Sequence, residues 1–198
     1  MAVSVVACNT QNSFTADERA LIGESPEAGT MRVLKTDDLS DSLQLRRVSE
    51  PLTAGDLKSE TYAVLKTRML ATVNDPANRG VGIAAPQVGI LKQVIAVQRF
   101  DKAGEPFEFY VNPRIERYSA EAEFGPEGCL SIPDRSETVP RPTSITLSFL
   151  DESTGNYTDE IVEGFTAVIF QHEVDHLNGI LYIDRAQEPA KETTGSAQ

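Results

Sequence analysis

The segment Gln171-His172-Glu173-Val174-Asp175-His176 constrains this chain more than any other stretch. It reads H-E-x-x-H and is flanked by the apolar residues Val168, Ile169, Phe170 and Leu177. On a helix, His172 and His176 lie four residues apart and project from one face, one turn above the other. Two imidazoles placed in this way share one metal ion readily, with Glu173 beside them to carry a proton. A helix whose histidines fall at that spacing by chance is the competing reading. The chain has only 2 histidines and spends both here, which weakens that alternative.

A metal needs a third ligand, and Glu127-Gly128-Cys129-Leu130-Ser131-Ile132-Pro133 supplies the best candidate. Taken alone, Cys129 is most simply a buried structural thiol. Combined with two imidazoles, a thiolate leaves a fourth tetrahedral position open, which is the catalytic pattern and not the closed structural one. Pro126 and Pro133 are expected to rigidify this stretch as a loop. The other cysteine, Cys8, follows Val5-Val6-Ala7, a small-residue run like those at which bacterial lipoproteins are acylated. Two cysteines make no disulfide framework.

The remaining pattern suggests one α+β domain. A helix is expected from Leu57 to Val73, ended by Asn74-Asp75-Pro76. Val94–Gln98, Phe107–Val111, Ser144–Phe149 and Tyr157–Val162 read as strands, with turns at Asp101–Gly104 and Asp151–Asn156. Gly179 is expected to cap the H-E-x-x-H helix. Residues 1–42 lack a sustained apolar period and are expected to form a flexible or surface-packed extension. The domain spans 43–185, and a polar tail spans 186–198. In Gly80-Val81-Gly82-Ile83-Ala84-Ala85-Pro86-Gln87 the third glycine of a phosphate-binding turn is missing, and Pro86 obstructs the helix such a turn needs. A strand edge or turn presenting its N–H groups and Gln87 to a pocket fits better. The net charge of −12 argues against nucleic acid as a partner. No apolar run approaches the roughly 20 residues of a membrane span.

GVGIAAPQ, EGCLS and QHEVDH, in that order, resemble the three signature motifs of the peptide deformylase family. Asn112-Pro113, Val139-Pro140-Arg141 and HLNGILYIDR extend the likeness over roughly residues 43–185. The resemblance implies mostly antiparallel sheets around a central metal-binding helix. It also implies removal of the N-formyl group from the formyl-methionine of new polypeptides. Cys129, His172 and His176 would be the ligands of iron(II), with zinc, nickel or cobalt able to replace it. Glu173 would act as general base and then acid as metal-bound hydroxide attacks, with Gln87 and the Leu130 N–H donating to the oxyanion. Val81, Phe165, Val168 and Ile169 would surround the methionine, and Gly82 and Gly128 would meet the substrate. Glu127 and Arg141 would pair and hold the cysteine stretch. Asp175 is expected to order a ligating histidine. The implied protein is a cytoplasmic monomer acting on formyl-methionyl peptides, in some members at the ribosome; an anchor through Cys8 is the alternative. Ile83 departs from the family's usual leucine, and the tail lacks a basic docking helix. A zinc metallopeptidase is the second reading, although no histidine follows His176. A non-catalytic binding module of the same fold is the third.

Overall fold

The computed structural model describes residues 13–23 and 29–186. Helix α1 (Ala16–Gly23), helix α2 (Leu39–Leu45) and a 3-10 turn (Asp56–Lys58) precede helix α3 (Glu60–Val73). Strand β1 (Gly82–Ala84), a 3-10 turn (Ala85–Val88), and strands β2 (Val94–Gln98), β3 (Phe107–Tyr118), β4 (Ala122–Cys129), β5 (Ile132–Pro142), β6 (Ser144–Leu150) and β7 (Tyr157–Glu163) follow. Helix α4 (Gly164–Leu177) carries the H-E-x-x-H segment, and the short α5 (Tyr182–Arg185) closes the described chain.

Five strands form one antiparallel sheet in the order β1-β2-β3-β6-β7, and β4 pairs with β5 separately. Residues along β2 alternate between two cores, because successive side chains on a strand point to opposite faces. Val94 and Ala96 pack with Leu65, Met69 and Val73 of α3. Ile95 and Val97 pack with Ala167, Ile169, Phe170 and Val174 of α4. Being covered on both faces explains why β2 reads as an unbroken apolar run. A third core, Ile132, Val139, Leu181 and Tyr182, fixes the β4–β5 ribbon to α5.

Ser59 caps α3 by accepting from the Tyr62 N–H. At the far end of α4, the Gly179 N–H donates to His176 C=O and the Ile180 N–H to Asp175 C=O. This is a Schellman ending, with Gly179 at φ +70° where a side chain would be strained. The second histidine therefore lies in the last, well-anchored turn of its helix.

Two expectations need correction. The stretch around Cys129 is not a loop: Ala122–Cys129 and Ile132–Pro142 pair as a ribbon, with a register shift at Gly128/Cys129. Its prolines and glycines weaken the usual strand signal, and a two-stranded ribbon supplies little burial to restore it. The described part of residues 1–42 also does not lie outside the core. Phe14, Ile22, Met31 and Leu34 are buried, the first three against α3 and its neighbours. Single apolar anchors between polar residues make no period, so this packing escapes pattern reading. Cys8 lies outside the described residues.

Candidate active site

Helix α4, strand β1 with its following turn, and the end of β4 converge on one cavity of about 380 Å³. The sulfur of Cys129 and one ring nitrogen each of His172 and His176 lie within 4.8 Å of one another. Cys129 Sγ is 3.2 Å from His176 Nε2. On the other histidine, Nδ1 is 2.8 Å from Glu127 Oε2, which leaves Nε2 for the site. A soft thiolate and two imidazoles, one already oriented by a carboxylate, form a donor set that fits a divalent transition metal.

Glu127 is held in turn by Arg141, which donates from Nε at 2.7 Å and Nη2 at 3.1 Å. Burial opposes ionisation of Glu127, but the bonds from His172 and Arg141 outweigh it and hold its carboxyl at about 2. Burial also lowers the His172 pKa, yet pairing with Cys129 and Glu127 raises it to about 10. His176 moves the other way, well below its ordinary value, through burial and the positive His172 beside it.

Glu173 stands in a setting that favours its protonated form. Burial raises its carboxyl to about 7. Its Oε2 is buried without a hydrogen-bond partner among the described residues. It lines the cavity beside His172. Gly82 lies directly against it, so that a Cβ there would run into the Glu173 carboxylate and lie 2.9 Å from Ile169 Cγ2. The glycine thus leaves the acid its space.

Gln87 is fixed through its carbonyl, which accepts from the Ala84 N–H at 2.8 Å. Its amide N–H group therefore faces Cys129 Sγ at 3.4 Å and Ser131 Oγ at 3.3 Å. Leu130 sits at the turn between β4 and β5 and lines the cavity, as do Val81, Gly82, Gly128, Phe165, Val168 and Ile169. His176 and Arg141 stand behind the lining.

Asp175 does not bond a ligating histidine. It accepts from Arg141 Nη1 at 2.6 Å and from Arg185 Nη2 at 2.7 Å, because its place on α4 faces β5 and α5. The carboxylate that orders one of the two histidines is Glu127, on His172. Residues missed by sequence reasoning include Ser131, whose N–H donates to Cys129 Sγ at 3.4 Å, and Arg79, Gly80 and Pro126 in the cavity wall. Ser131, Gly80 and Pro126 carried a signal in their places beside the quoted motifs, and Arg79 did not.

Fold and site define a metal-dependent hydrolase of the α+β class. The sequence model for polypeptide deformylase matches residues 32–192. A peptide deformylase of Afipia carboxidovorans is 40% identical over 142 residues, covering 71% of this chain and 80% of that protein. One from Leptospira biflexa is 37% identical over 150 residues, covering 71% and 81%. Among solved structures, the class I type b peptide deformylase of Acinetobacter baumannii bound to Met-Ala-Ser superposes with a TM-score of 0.69 at 38% identity, covering 79% of this chain and 98% of the other. The Thermotoga maritima peptide deformylase superposes at 0.68 and 33% identity, covering 80% and 99%. The chain belongs to the peptide deformylase family.

Proposed function

We propose that this cavity hydrolyses the formamide of N-formyl-methionyl peptides, releasing formate and a free amino terminus. The observation that carries the reading is Glu173: a buried acid with an unpartnered oxygen, raised to about 7, beside the Cys129 sulfur and the His172 and His176 rings. A pKa near the working pH suits a group that must both accept and return a proton. The Acinetobacter relative was solved with Met-Ala-Ser bound, which is the product such a reaction would leave.

Cys129, His172 and His176 would hold the metal, and iron(II) is the ion we assign, with zinc, nickel or cobalt able to replace it. When bound, the ion supplies a Lewis acid and lowers the pKa of water towards about 7. Glu173 takes the proton of the attacking water and returns one to the departing nitrogen. Gln87 Nε2–H and the Leu130 N–H donate to the formyl oxygen as it gains charge. The apolar wall of Val81, Phe165, Val168 and Ile169 takes the methionine side chain. Gly82 and Gly128 let the substrate backbone approach. Glu127 and Arg141 keep His172 in the tautomer that ligation needs.

Two substrates separate this reading from its rival. Iron- or nickel-loaded protein should release formate from formyl-Met-Ala-Ser and leave an internal peptide bond of a longer acetylated peptide intact. Cleavage of the acetylated peptide without formate release from the first would favour the metallopeptidase.

A further inference from the structure

The cavity wall contains one exposed cation, Arg79, which the reaction does not use. The carboxylates that share the wall are committed elsewhere: Glu127 to Arg141 and His172, Glu173 to the proposed proton transfer. Among the described residues, the Arg79 side chain has no ion-pair or hydrogen-bond partner. Most other cations of the chain do, from Arg32 with Asp41 to Arg185 with Asp175.

Its backbone is not free to drift. Arg79 adopts φ +48°, a conformation uncommon for a residue with a side chain. The Arg79 N–H donates to Asp75 C=O at 3.0 Å and the Gly80 N–H to Val73 C=O at 3.2 Å. Asp75, the nearest acid in the turn, spends Oδ1 on the Ala77 N–H. The turn after α3 therefore holds a cation at the cavity mouth.

The path of a bound peptide brings it there. Its reacting end must lie by Glu173, which packs against Gly82. Along β1 the chain could continue in one of two directions. Towards Ala84 and Ala85 the protein is fully buried. Towards Gly80 and Arg79 it opens to solvent. At roughly 3.3 Å per residue, Arg79 lies about 10 Å from Gly82, within reach of the second or third residue after methionine.

We propose that Arg79 sets a charge preference downstream of the methionine, favouring substrates with an acidic side chain there over neutral or basic ones. This rests on the deformylase reading. It opposes the chain's overall charge of −12, which on its own disfavours acidic peptides. A contact at close range is less screened than a field acting beyond a Debye length of about 10 Å at 0.1 M salt. An exposed pair of this kind should change kcat/KM by about 2–5-fold, mostly through KM.

The test compares C-terminally amidated formyl-Met-Ala-Glu-Ser, formyl-Met-Ala-Gln-Ser and formyl-Met-Ala-Lys-Ser on the metal-loaded enzyme. The expected order is Glu, Gln, Lys, with the spread collapsing in high salt. Arg79→Gln should flatten the Glu-to-Lys ratio, and Arg79→Glu should invert it. A ratio near one in the native enzyme, or one unchanged in both variants, overturns the proposal. The Gln peptide reports separately on deformylation: no formate from it means that the underlying reading has failed.

Discussion

The Glu127 carboxylate lies 2.8 Å from His172 Nδ1 and receives Arg141 on both of its oxygens. One residue of the β4–β5 ribbon thereby fixes the proposed ligand His172 on α4, and a second residue of the ribbon fixes the first. Glu127→Gln keeps the shape but loses the charge that holds the imidazole tautomer. Metal affinity should fall by roughly 10–100-fold, read by competition with a chelator. Unchanged affinity would mean that His172 is oriented by something else.

Arg141 also bonds Asp175, so its loss leaves two buried carboxylates with a single side-chain partner each, His172 for Glu127 and Arg185 for Asp175. Arg141→Leu should destabilise the metal-free protein by about 3–5 kcal/mol in urea unfolding, as expected when one partner of a buried pair is removed. A cost below about 1 kcal/mol would show that water or Arg185 replaces it.

Glu173 gives a pH dependence of definite sign. Its carboxyl is raised by burial from 4.5 to about 7 in the folded state. Between those values the unfolded chain gives up the proton more readily, so the group costs stability increasingly as pH rises and fully above about 7. In metal-free protein, Glu173→Gln should therefore be more stable than the native chain by roughly 1–3 kcal/mol at about pH 8, with the difference vanishing near pH 4. A difference that grows towards acid pH would contradict the burial of Glu173.

Gly82 has no room for a methyl group between Glu173 and Ile169. Gly82→Ala should displace the Glu173 carboxylate, lowering kcat by about 10²-fold, the scale on which small misplacements act. Metal content should stay full. Normal kcat would show that the acid has space to move.

Much of this site was legible because its chemistry is written in local spacing. His172, Glu173 and His176 need only one helix, and Gly179 marks that helix's end. The strands β2, β6 and β7 were legible from runs of β-branched residues. The ribbon bearing Cys129 was not, since Gly125, Pro126, Gly128, Pro133, Pro140 and Pro142 mask strand propensity while the register and α5 supply the order. Asp175 shows a further limit. Asp175, one residue from His176 in sequence, points away from it on the helix, and only the tertiary fold hands the ordering role to Glu127, which lies 45 residues before the His172 it bonds. Arg79 was missed for a related reason: it adjoins the glycine-containing stretch expected to face a pocket, but only the fold shows that the turn after α3 borders the same cavity.

The most direct test is formate release from formyl-Met-Ala-Ser by anaerobically purified, metal-loaded protein beside Glu173→Ala. The native chain should release formate rapidly and the variant at least about 10²-fold more slowly, with its metal content unchanged. Undiminished release by a metal-replete Glu173→Ala protein would contradict the role given to Glu173. No release by the native chain, with metal bound at Cys129, His172 and His176, would contradict the activity itself.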